Sequence, residues 1–217
     1  MNILTKIQKQ FLAYFGKSEL SKHFYFTGGT ALSYVYLQHR RSYDLDFFTD
    51  NKTALDINAI LSFLHSIAEI KKINYEAIYD RRLFLISSPD ESLKVEFTFY
   101  PFKNVAPRRK VGDLWVDSFE DIFVNKLAAL ADRNEVKDIM DIYFILKEKG
   151  RDYILWGFKK VREKFGIEGI EYVIQRKFTN LPEKIEDEPY LIKPIENYKE
   201  LFEDVTKIIA KAYWNTE

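Results

Sequence analysis

The feature that most constrains the fold is a short aromatic segment, residues 23–27, that ends abruptly in Gly28-Gly29. The aromatic residues predict a strand, and the two successive glycines mark the point where it stops. Residues 30–39 are largely apolar and predict a short helix that starts at the glycines. Residues 43–49 then predict a second strand. Two strands are therefore joined by a glycine turn and a short helix.

The remaining segments divide the chain into two halves of different character. Apolar spacing predicts helices within residues 1–15 and over 55–69, and strands over 74–80, 82–88 and 93–100. Beyond Pro107 the strand signals fade, and helices are predicted over 119–131, 136–148, 153–165, 167–178 and 198–214. We therefore expect an α+β fold with a first domain of residues 1–110, built on a mixed sheet, and a helical second domain of residues 111–217.

Composition excludes several kinds of site. The 217-residue chain has no cysteine, so disulfides and thiolate metal sites are excluded, and carboxylates and three histidines remain as metal ligands. Such ligands favour a hard ion such as Mg²⁺ over zinc. Equal numbers of basic and acidic side chains, 33 of each, exclude a general basic coat for nucleic acid. No apolar run approaches the roughly 20 residues that span a membrane, so we expect a soluble cytoplasmic protein.

The glycine pair has two interpretations. A strand that ends in Gly28-Gly29 and leads into a helix presents bare backbone N–H groups at the helix N-terminus, where an anion can approach closely. The helix dipole favours the anion, and Thr30 offers a hydroxyl donor. The alternative is a simple tight turn, because a lone glycine pair is a weak signal of phosphate binding.

Two aspartates in the second predicted strand form the next candidate site. Side chains alternate between the faces of a strand, so Asp44 and Asp46 project together while Leu45 and Phe47 face the core. Two carboxylates this close repel each other, and a divalent cation removes the conflict. The alternative is an exposed polar strand without a ligand, which is common for an isolated Asp-x-Asp pattern.

A third acid is expected on a neighbouring strand if the site holds a catalytic metal. Glu96 fits, because Val95, Phe97 and Phe99 share one face of its strand and Glu96 lies on the other. The alternative is again a solvated polar face. Three carboxylates beside a phosphate-binding turn would together form a metal-dependent phosphoryl-transfer site.

The order of these signals resembles the nucleotidyltransferases of the DNA polymerase β superfamily. Within it, FTGGTAL (residues 26–32) resembles the first motif of the AbiEii/AbiGii-type toxin family, the type IV toxin–antitoxin nucleotidyltransferases. HRRSYDLDF (39–47) resembles its second motif, KLAAL (126–130) with Arg133 its third, and KDIMDIY (137–143) its fourth. The resemblance covers about residues 24–146 and extends loosely over the later helices.

The resemblance implies a role for each matching position. Asp44 and Asp46 would bind Mg²⁺, Lys126 would contact the phosphates, and Asp138 would be an essential acid. The expected nucleotide-binding residues are Gly28, Gly29, Thr30, Arg40 and Ser42. The resemblance also implies a polymerase β-like core, with the helical domain completing the active-site cleft. Glu96 is predicted as a metal ligand from its strand position alone.

The basic residues of the third and fourth motifs form one stripe if residues 119–147 are a single straight helix, because Lys126, Arg133 and Lys137 are spaced by seven and four positions. A break near Asn134 would give two helices that could still direct these groups toward one cleft. The alternative is an ordinary solvated charged face.

The expected function is Mg²⁺-dependent transfer of a nucleoside monophosphate from an NTP to an acceptor hydroxyl. The resemblance implies RNA as acceptor, in particular the 3′ end of tRNA, together with growth arrest in a toxin–antitoxin or abortive-infection system and a cognate antitoxin as partner. Basic patches at 108–110 and 159–160 could contact RNA. The alternatives are transfer to a small molecule or a protein, and an inactive NTP-binding module.

Overall fold

A computed structural model describes residues 3–214, and it divides the chain into two compact units. The first unit contains the residues up to Lys103 together with Pro107–Ser118. The second contains Asn104–Ala106 and the residues from Phe119 onward. Strands are found in the first unit and helices dominate the second, so the predicted α+β class is confirmed.

The first unit is built on one mixed sheet. Its strands are β1 (Tyr25–Thr27), β2 (Asp44–Thr49), β3 (Lys72–Ile78), β4 (Arg81–Ser87), β5 (Ser92–Phe99), β6 (Arg109–Val111) and β7 (Leu114–Val116). They are ordered β3-β4-β5-β2-β1-β7-β6. Two pairs, β2 with β5 and β1 with β7, are parallel, and the other neighbours are antiparallel. The central strands β2 and β1 therefore bring the predicted acids next to the glycine turn.

The helices of the first unit lie close to the predicted places, with bounds that differ by a few residues. Residues 1 and 2 of the first predicted helix lie outside the described residues. Helix α1 (Lys6–Gly16) begins at a capping box in which Thr5 and Gln8 satisfy each other's backbone N–H groups. Helix α2 (Gly28–Ala31) continues directly into a π-helix, Leu32–Leu37. Helix α3 is Ile57–Ser66. The wide π turn is uncommon and occurs often at functional sites, which agrees with its place between the two key strands.

The sequence pattern does not predict the hairpin of β6 and β7. Each strand has only three residues, and β6 consists of Arg109, Lys110 and Val111, too short a run to show an apolar alternation. The hairpin joins the sheet because Val116 pairs with Phe26 of β1. The predicted domain boundary at residue 110 falls inside β6, and the division into two functional domains stays a prediction.

An aromatic cluster forms the core beneath β2. Phe47 is fully buried, and its ring centroid is 4.1 Å from that of Phe15, 5.3 Å from Phe97 and 5.5 Å from Phe26. Leu45 is fully buried as well, as the strand alternation predicted. Rings on α1, β1, β2 and β5 thus fix the orientation of β2, which leaves its two aspartates on the opposite face.

Five α-helices make up most of the second unit. They are α4 (Phe119–Asp132), α5 (Val136–Lys149), α6 (Tyr153–Phe165), α7 (Ile170–Thr179) and α8 (Tyr198–Tyr213). Helices α4 and α6 cross closely at Gly157, where a methyl group would come within 2.5 Å of the Leu127 side chain and 2.7 Å of the Phe123 ring. The chain breaks between Asp132 and Val136, so the alternative of two helices, rather than one straight helix, is correct.

Over residues 3–214, none of the helices combines the length and the apolar character that crossing a membrane requires.

We predict that Phe47→Ala lowers the free energy of unfolding by about 3–5 kcal/mol, because the truncation leaves a cavity among rings that cannot collapse into it. Leu85→Ala is the control, because Leu85 is 47% exposed on β4 and its truncation should cost less than about 1 kcal/mol. Urea denaturation of both variants measures the difference. Equal losses would contradict the assignment of Phe47 to the core.

Candidate active site

Asp44 and Asp46 project from one face of β2 and are both partly exposed, whereas Leu45 and Phe47 are buried on the other face. Lys94 on β5 is paired in register with Asp44, and its ammonium is 3.7 Å from the Asp44 carboxylate. The predicted orientation of the two acids is therefore confirmed. Lys94 supplies a cation that lowers the repulsion between them.

The Asp46 side chain lies directly against the glycine turn. Thr27, the last residue of β1, is paired in register with Asp46, so the following residue, Gly28, meets the Asp46 side chain. A methyl group on Gly28 would come within 2.9 Å of the Asp46 Cγ atom and would overlap the carboxylate. Gly28 also has a φ of +76°, which side chains rarely adopt. The turn therefore requires glycine both for its backbone conformation and for the approach of an acid.

The second glycine is packed against the other predicted binding residues. A methyl group on Gly29 would come within 2.5 Å of the Arg40 guanidinium and 3.3 Å of the Ser42 hydroxyl. Arg40 is almost fully buried, and one of its nitrogens donates to the carbonyl of Arg41 at 3.0 Å. The Ser42 carbonyl accepts from Gln8 of α1 at 2.9 Å. Arg40 and Ser42 thus pack against the turn in the space that a side chain at position 29 would occupy.

Two buried hydroxyls hold the helix to the chain that follows it. Thr30 Oγ1 donates to the carbonyl of Asp44, and Ser33 Oγ donates to the carbonyl of Arg40. The Thr30 hydroxyl is therefore engaged with β2. A phosphate contact from Thr30 would therefore have to come from its backbone N–H group.

Glu96 lies in the same row of the sheet as Asp46, because β2 and β5 pair these two residues in register. Its carboxylate is held by Arg81 through two bonds of 2.6 and 2.7 Å, and Thr98 donates to it at 2.7 Å. Burial alone would raise the pKa of Glu96, but the hydrogen bonds from Arg81 and Thr98 and the nearby positive charges hold that pKa below its usual range. Its predicted role as a metal ligand stays a prediction.

The aspartate pair suits a magnesium ion by the chemistry of its donors. Mg²⁺ in phosphoryl-transfer sites is commonly held by one or two carboxylates together with the phosphates of the substrate. Asp44 and Asp46 supply two hard oxygen ligands on one face of β2. Within residues 3–214, three His, Asp or Glu side chains are nowhere gathered so as to enclose a metal by themselves.

In the second unit, Lys126 and Asp138 belong to one buried charge network. The Lys126 ammonium on α4 is 2.7 Å from the Asp138 carboxylate and 2.6 Å from the Asp141 carboxylate, both on α5. Arg133, between the helices, donates to both oxygens of Asp138, at 2.7 and 3.1 Å. Both aspartates are fully buried. The network holds two cations and two anions, so its formal charges balance.

Asp138 is held in its ionised form. Burial alone would raise the pKa of Asp138, but the charge of Lys126 and the hydrogen bonds from Arg133 and Lys126 hold that pKa below its ordinary value of 3.8. A carboxylate so stabilised is a weak proton acceptor, which favours positioning of Lys126 over general-base chemistry. Arg133 and Asp141 were not among the predicted site residues. The spacing of Asp138 and Asp141 on one helix face could have indicated that they share a partner.

A third buried acid of this unit, Asp121, has a structural role. The Asp121 carboxylate accepts from the backbone N–H groups of Val105 and Ala106 and lies 2.6 Å from the Lys164 ammonium. Lys164 also donates to Asn125 at 3.0 Å. Asp121 therefore ties the segment 104–106 and α6 to α4.

We predict that Gly28→Ala destabilises the protein more than Gly112→Ala. Both glycines have positive φ, +76° and +58°, so each substitution carries a backbone cost of about 1–2 kcal/mol. Gly112 has no neighbouring atom within 4 Å of the added methyl, whereas Gly28 must displace Asp46. Chemical denaturation compares the two free energies of unfolding. Equal costs would show that Asp46 does not pack on the turn.

We further predict that Asp138→Asn destabilises the protein by about 3–5 kcal/mol at neutral pH, because it removes one partner of a buried ion pair. The pKa of Asp138 is lowered in the folded state, so its ion pairs contribute their full stability above pH 3.8. This contribution is lost as the pH falls through the lowered pKa. The difference from wild type should therefore be equal at pH 7 and pH 5, and should shrink below pH 3.8.

Asp132→Asn is the control for this pH series, because Asp132 is exposed at the end of α4. Urea denaturation at each pH gives the free energies of unfolding. A difference between wild type and Asp138→Asn that grows as the pH falls would contradict the assigned ion pair.

Comparison with known proteins gives the family. The sequence profile described as "Nucleotidyl transferase AbiEii toxin, Type IV TA system" matches residues 10–211. An uncharacterised protein of Aquifex aeolicus (strain VF5) is 26% identical over 216 residues, which represent 99% of this chain and 92% of that protein. Both matches run through the strands of the first unit and the helices of the second.

Two crystal structures from Helicobacter pylori share the fold. JHP933 superposes with a TM-score of 0.63 at 17% identity and covers 95% of this chain and 90% of its own. A chain described as a candidate nucleotidyltransferase superposes with a TM-score of 0.65 at 18% identity and covers 96% and 97%. At these identities the likeness concerns the fold, and the profile match identifies the family. The chain is a nucleotidyltransferase that belongs to the AbiEii toxin family of type IV toxin–antitoxin systems.

Proposed function

We propose that the protein transfers a nucleoside monophosphate from an NTP to a hydroxyl of RNA, at the 3′ end of tRNA, in a Mg²⁺-dependent reaction. The acceptor oxygen forms a bond to the α-phosphorus while the bond from that phosphorus to the oxygen bridging to the β-phosphate breaks. Pyrophosphate leaves, and the acceptor hydroxyl loses its proton. The reaction requires a site that binds a triphosphate and offsets its negative charge.

The observation that carries this proposal is the contact between the Asp46 carboxylate and Gly28. It joins the proposed metal ligand to the proposed phosphate-binding turn within the first unit. An exposed polar strand without a ligand would not need an acid packed against a turn at which only glycine fits, because glycine is used where the backbone must be approached closely. The arrangement therefore favours a ligand that uses both groups.

The residues of the first unit have distinct proposed roles. Backbone N–H groups of Gly28, Gly29 and Thr30 bind phosphate oxygens, and Arg40 beside Gly29 adds positive charge. Asp44 and Asp46 would hold Mg²⁺, which would neutralise charge on the phosphates. Glu96 is a further proposed metal ligand once Arg81 releases it.

In the second unit the Lys126 ammonium is the proposed phosphate contact, and Asp138 with Asp141 fixes its position. An ammonium held by two carboxylates keeps its charge and its place, which supports electrostatic stabilisation of a transition state. Asp138 would then be essential because it positions Lys126.

The biological part of the proposal rests on the family. A type IV toxin acts together with an antitoxin, so we propose a cognate antitoxin as partner and growth arrest, including abortive infection, as the effect in the cytoplasm. The basic residues Arg108–Lys110 in and beside β6 and Lys159–Lys160 on α6 are candidate contacts for RNA phosphates.

We predict that Asp46→Asn reduces nucleotidyl transfer at least 100-fold, because one charge of the proposed metal pair is lost and the effect of a single charged group on catalysis is of about this size. The purified protein is incubated with labelled NTPs, Mg²⁺ and separate fractions of total RNA, protein and small metabolites. Sequencing of RNA 3′ ends then identifies the added nucleotide.

The matched control is Asp90→Asn, which neutralises an exposed acid in the turn between β4 and β5. It should transfer at the wild-type rate. Label found only in protein or metabolites would reject RNA as the acceptor. NTP binding without transfer to any fraction would identify a binding module, and unchanged activity of Asp46→Asn would reject the proposed site.

A further inference from the structure

The face of the sheet that carries Asp44 and Asp46 continues into a group of aromatic rings. Phe48 follows Asp46 on the same face of β2, and Tyr25 of β1 is its partner in register. The ring of Tyr100, just after β5, has its centroid 4.5 Å from that of Phe48. The Phe102 centroid is a further 4.9 Å from Tyr100. The rings therefore form a continuous row in the first unit that begins one pleat beyond Asp46.

Arg108 adds a positive charge to this row. Its guanidinium lies 3.5 Å above the centre of the Tyr25 ring, a cation–π geometry. The same guanidinium is 3.5 Å from the Asp50 carboxylate, whose side chain is 64% exposed, so the pair is weak and open to exchange. A planar cation stacked on an aromatic ring is suited to contact with the phosphate or the face of a nucleotide.

Part of this row is open to a ligand. The most exposed ring of the row, Phe102, is 37% exposed, and Phe48 and Tyr100 are partly exposed, while Tyr25 is buried beneath Arg108. The Cα atoms of Asp46 and Phe48 are separated by two strand residues, about 6.6 Å. A base on these rings would therefore lie within one nucleotide of a phosphate at Asp46.

We propose that Tyr25, Phe48, Tyr100, Phe102 and Arg108 form a base-binding platform, which takes a nucleobase by stacking and its adjoining phosphate by charge. Bases of every kind have a π-face, so stacking on aromatic rings binds nucleotides without hydrogen-bond readout. The base belongs either to the incoming NTP or to the end of the acceptor RNA. The inference rests on the proposed function, because it places a base beside the proposed phosphate and metal site.

The test compares ligands with and without a base. The affinities of the full-length protein for ATP, CTP, inorganic tripolyphosphate and a hairpin RNA with a tRNA-like 3′ end are measured by calorimetry. The variants are Phe102→Ala, Phe102→Leu and, as the matched control, Tyr14→Ala, because Tyr14 is a 43% exposed aromatic residue of α1. Phe102→Leu keeps an apolar side chain and removes the π-face.

Stacking predicts that Phe102→Ala weakens binding of the base-bearing ligand by about 5- to 100-fold. The affinity for tripolyphosphate should stay at the wild-type value, and Phe102→Leu should recover only part of the loss. A loss confined to the nucleotides assigns the platform to the incoming NTP, and a loss confined to the hairpin RNA assigns it to the acceptor.

Two results would overturn the platform while the proposed function stands. In one, Phe102→Ala binds all ligands as Tyr14→Ala does. In the other, Phe102→Ala weakens the binding of tripolyphosphate as much as the binding of ATP, which indicates a structural effect on the phosphate site. A wild-type protein that binds neither tripolyphosphate nor nucleotides nor RNA would reject both the proposed function and the platform.

Discussion

The arrangement of the first unit depends on the contact between the Asp46 carboxylate and the backbone at Gly28. The contact exists because Thr27 and Asp46 are paired in register, so the end of β1 and the acid of β2 meet at the turn. Phe47 fixes β2 from the core side, and the Thr30 hydroxyl joins the helix to the carbonyl of Asp44. The packing of the core therefore also fixes the geometry of the acid pair.

The second unit carries a different electrostatic arrangement. Burying charged groups costs free energy that their attraction often fails to recover, and apolar residues of the same volume can be as stable. Lys126, Asp138 and Asp141 are nevertheless all buried, and each has an oppositely charged partner. The proposed phosphate contact would account for such a network, because it requires a lysine with a fixed position and a fixed charge. Arg133 completes the network from its partly exposed edge.

Local patterns predicted the parts of the site that depend on one strand or one turn. The period of a strand is two, so the common face of Asp44 and Asp46 follows from their spacing alone. The same rule placed Glu96 on the correct face, but it could not show Arg81, because that partner comes from the neighbouring strand through the register of β4 and β5.

Features formed by residues that are far apart in the sequence were not predicted. The β6–β7 hairpin joins the sheet through β1, some ninety residues earlier in the chain, and its three-residue strands carry no period of their own. The hydrogen bond from the Thr30 hydroxyl to the Asp44 carbonyl joins two different elements, so apolar spacing cannot show it. Apolar spacing also does not distinguish the π-helix Leu32–Leu37 from an α-helix. The stacking of Arg108 on Tyr25 likewise requires the assembled sheet.

The most direct test of this account is a crystal structure with Mn²⁺ in place of Mg²⁺ and a non-hydrolysable NTP analogue. The account predicts an anomalous peak of Mn²⁺ bound by Asp44 and Asp46, with the triphosphate against the backbone of Gly28 and Gly29. A metal and triphosphate bound elsewhere, with Asp44 and Asp46 contacting neither, would contradict it.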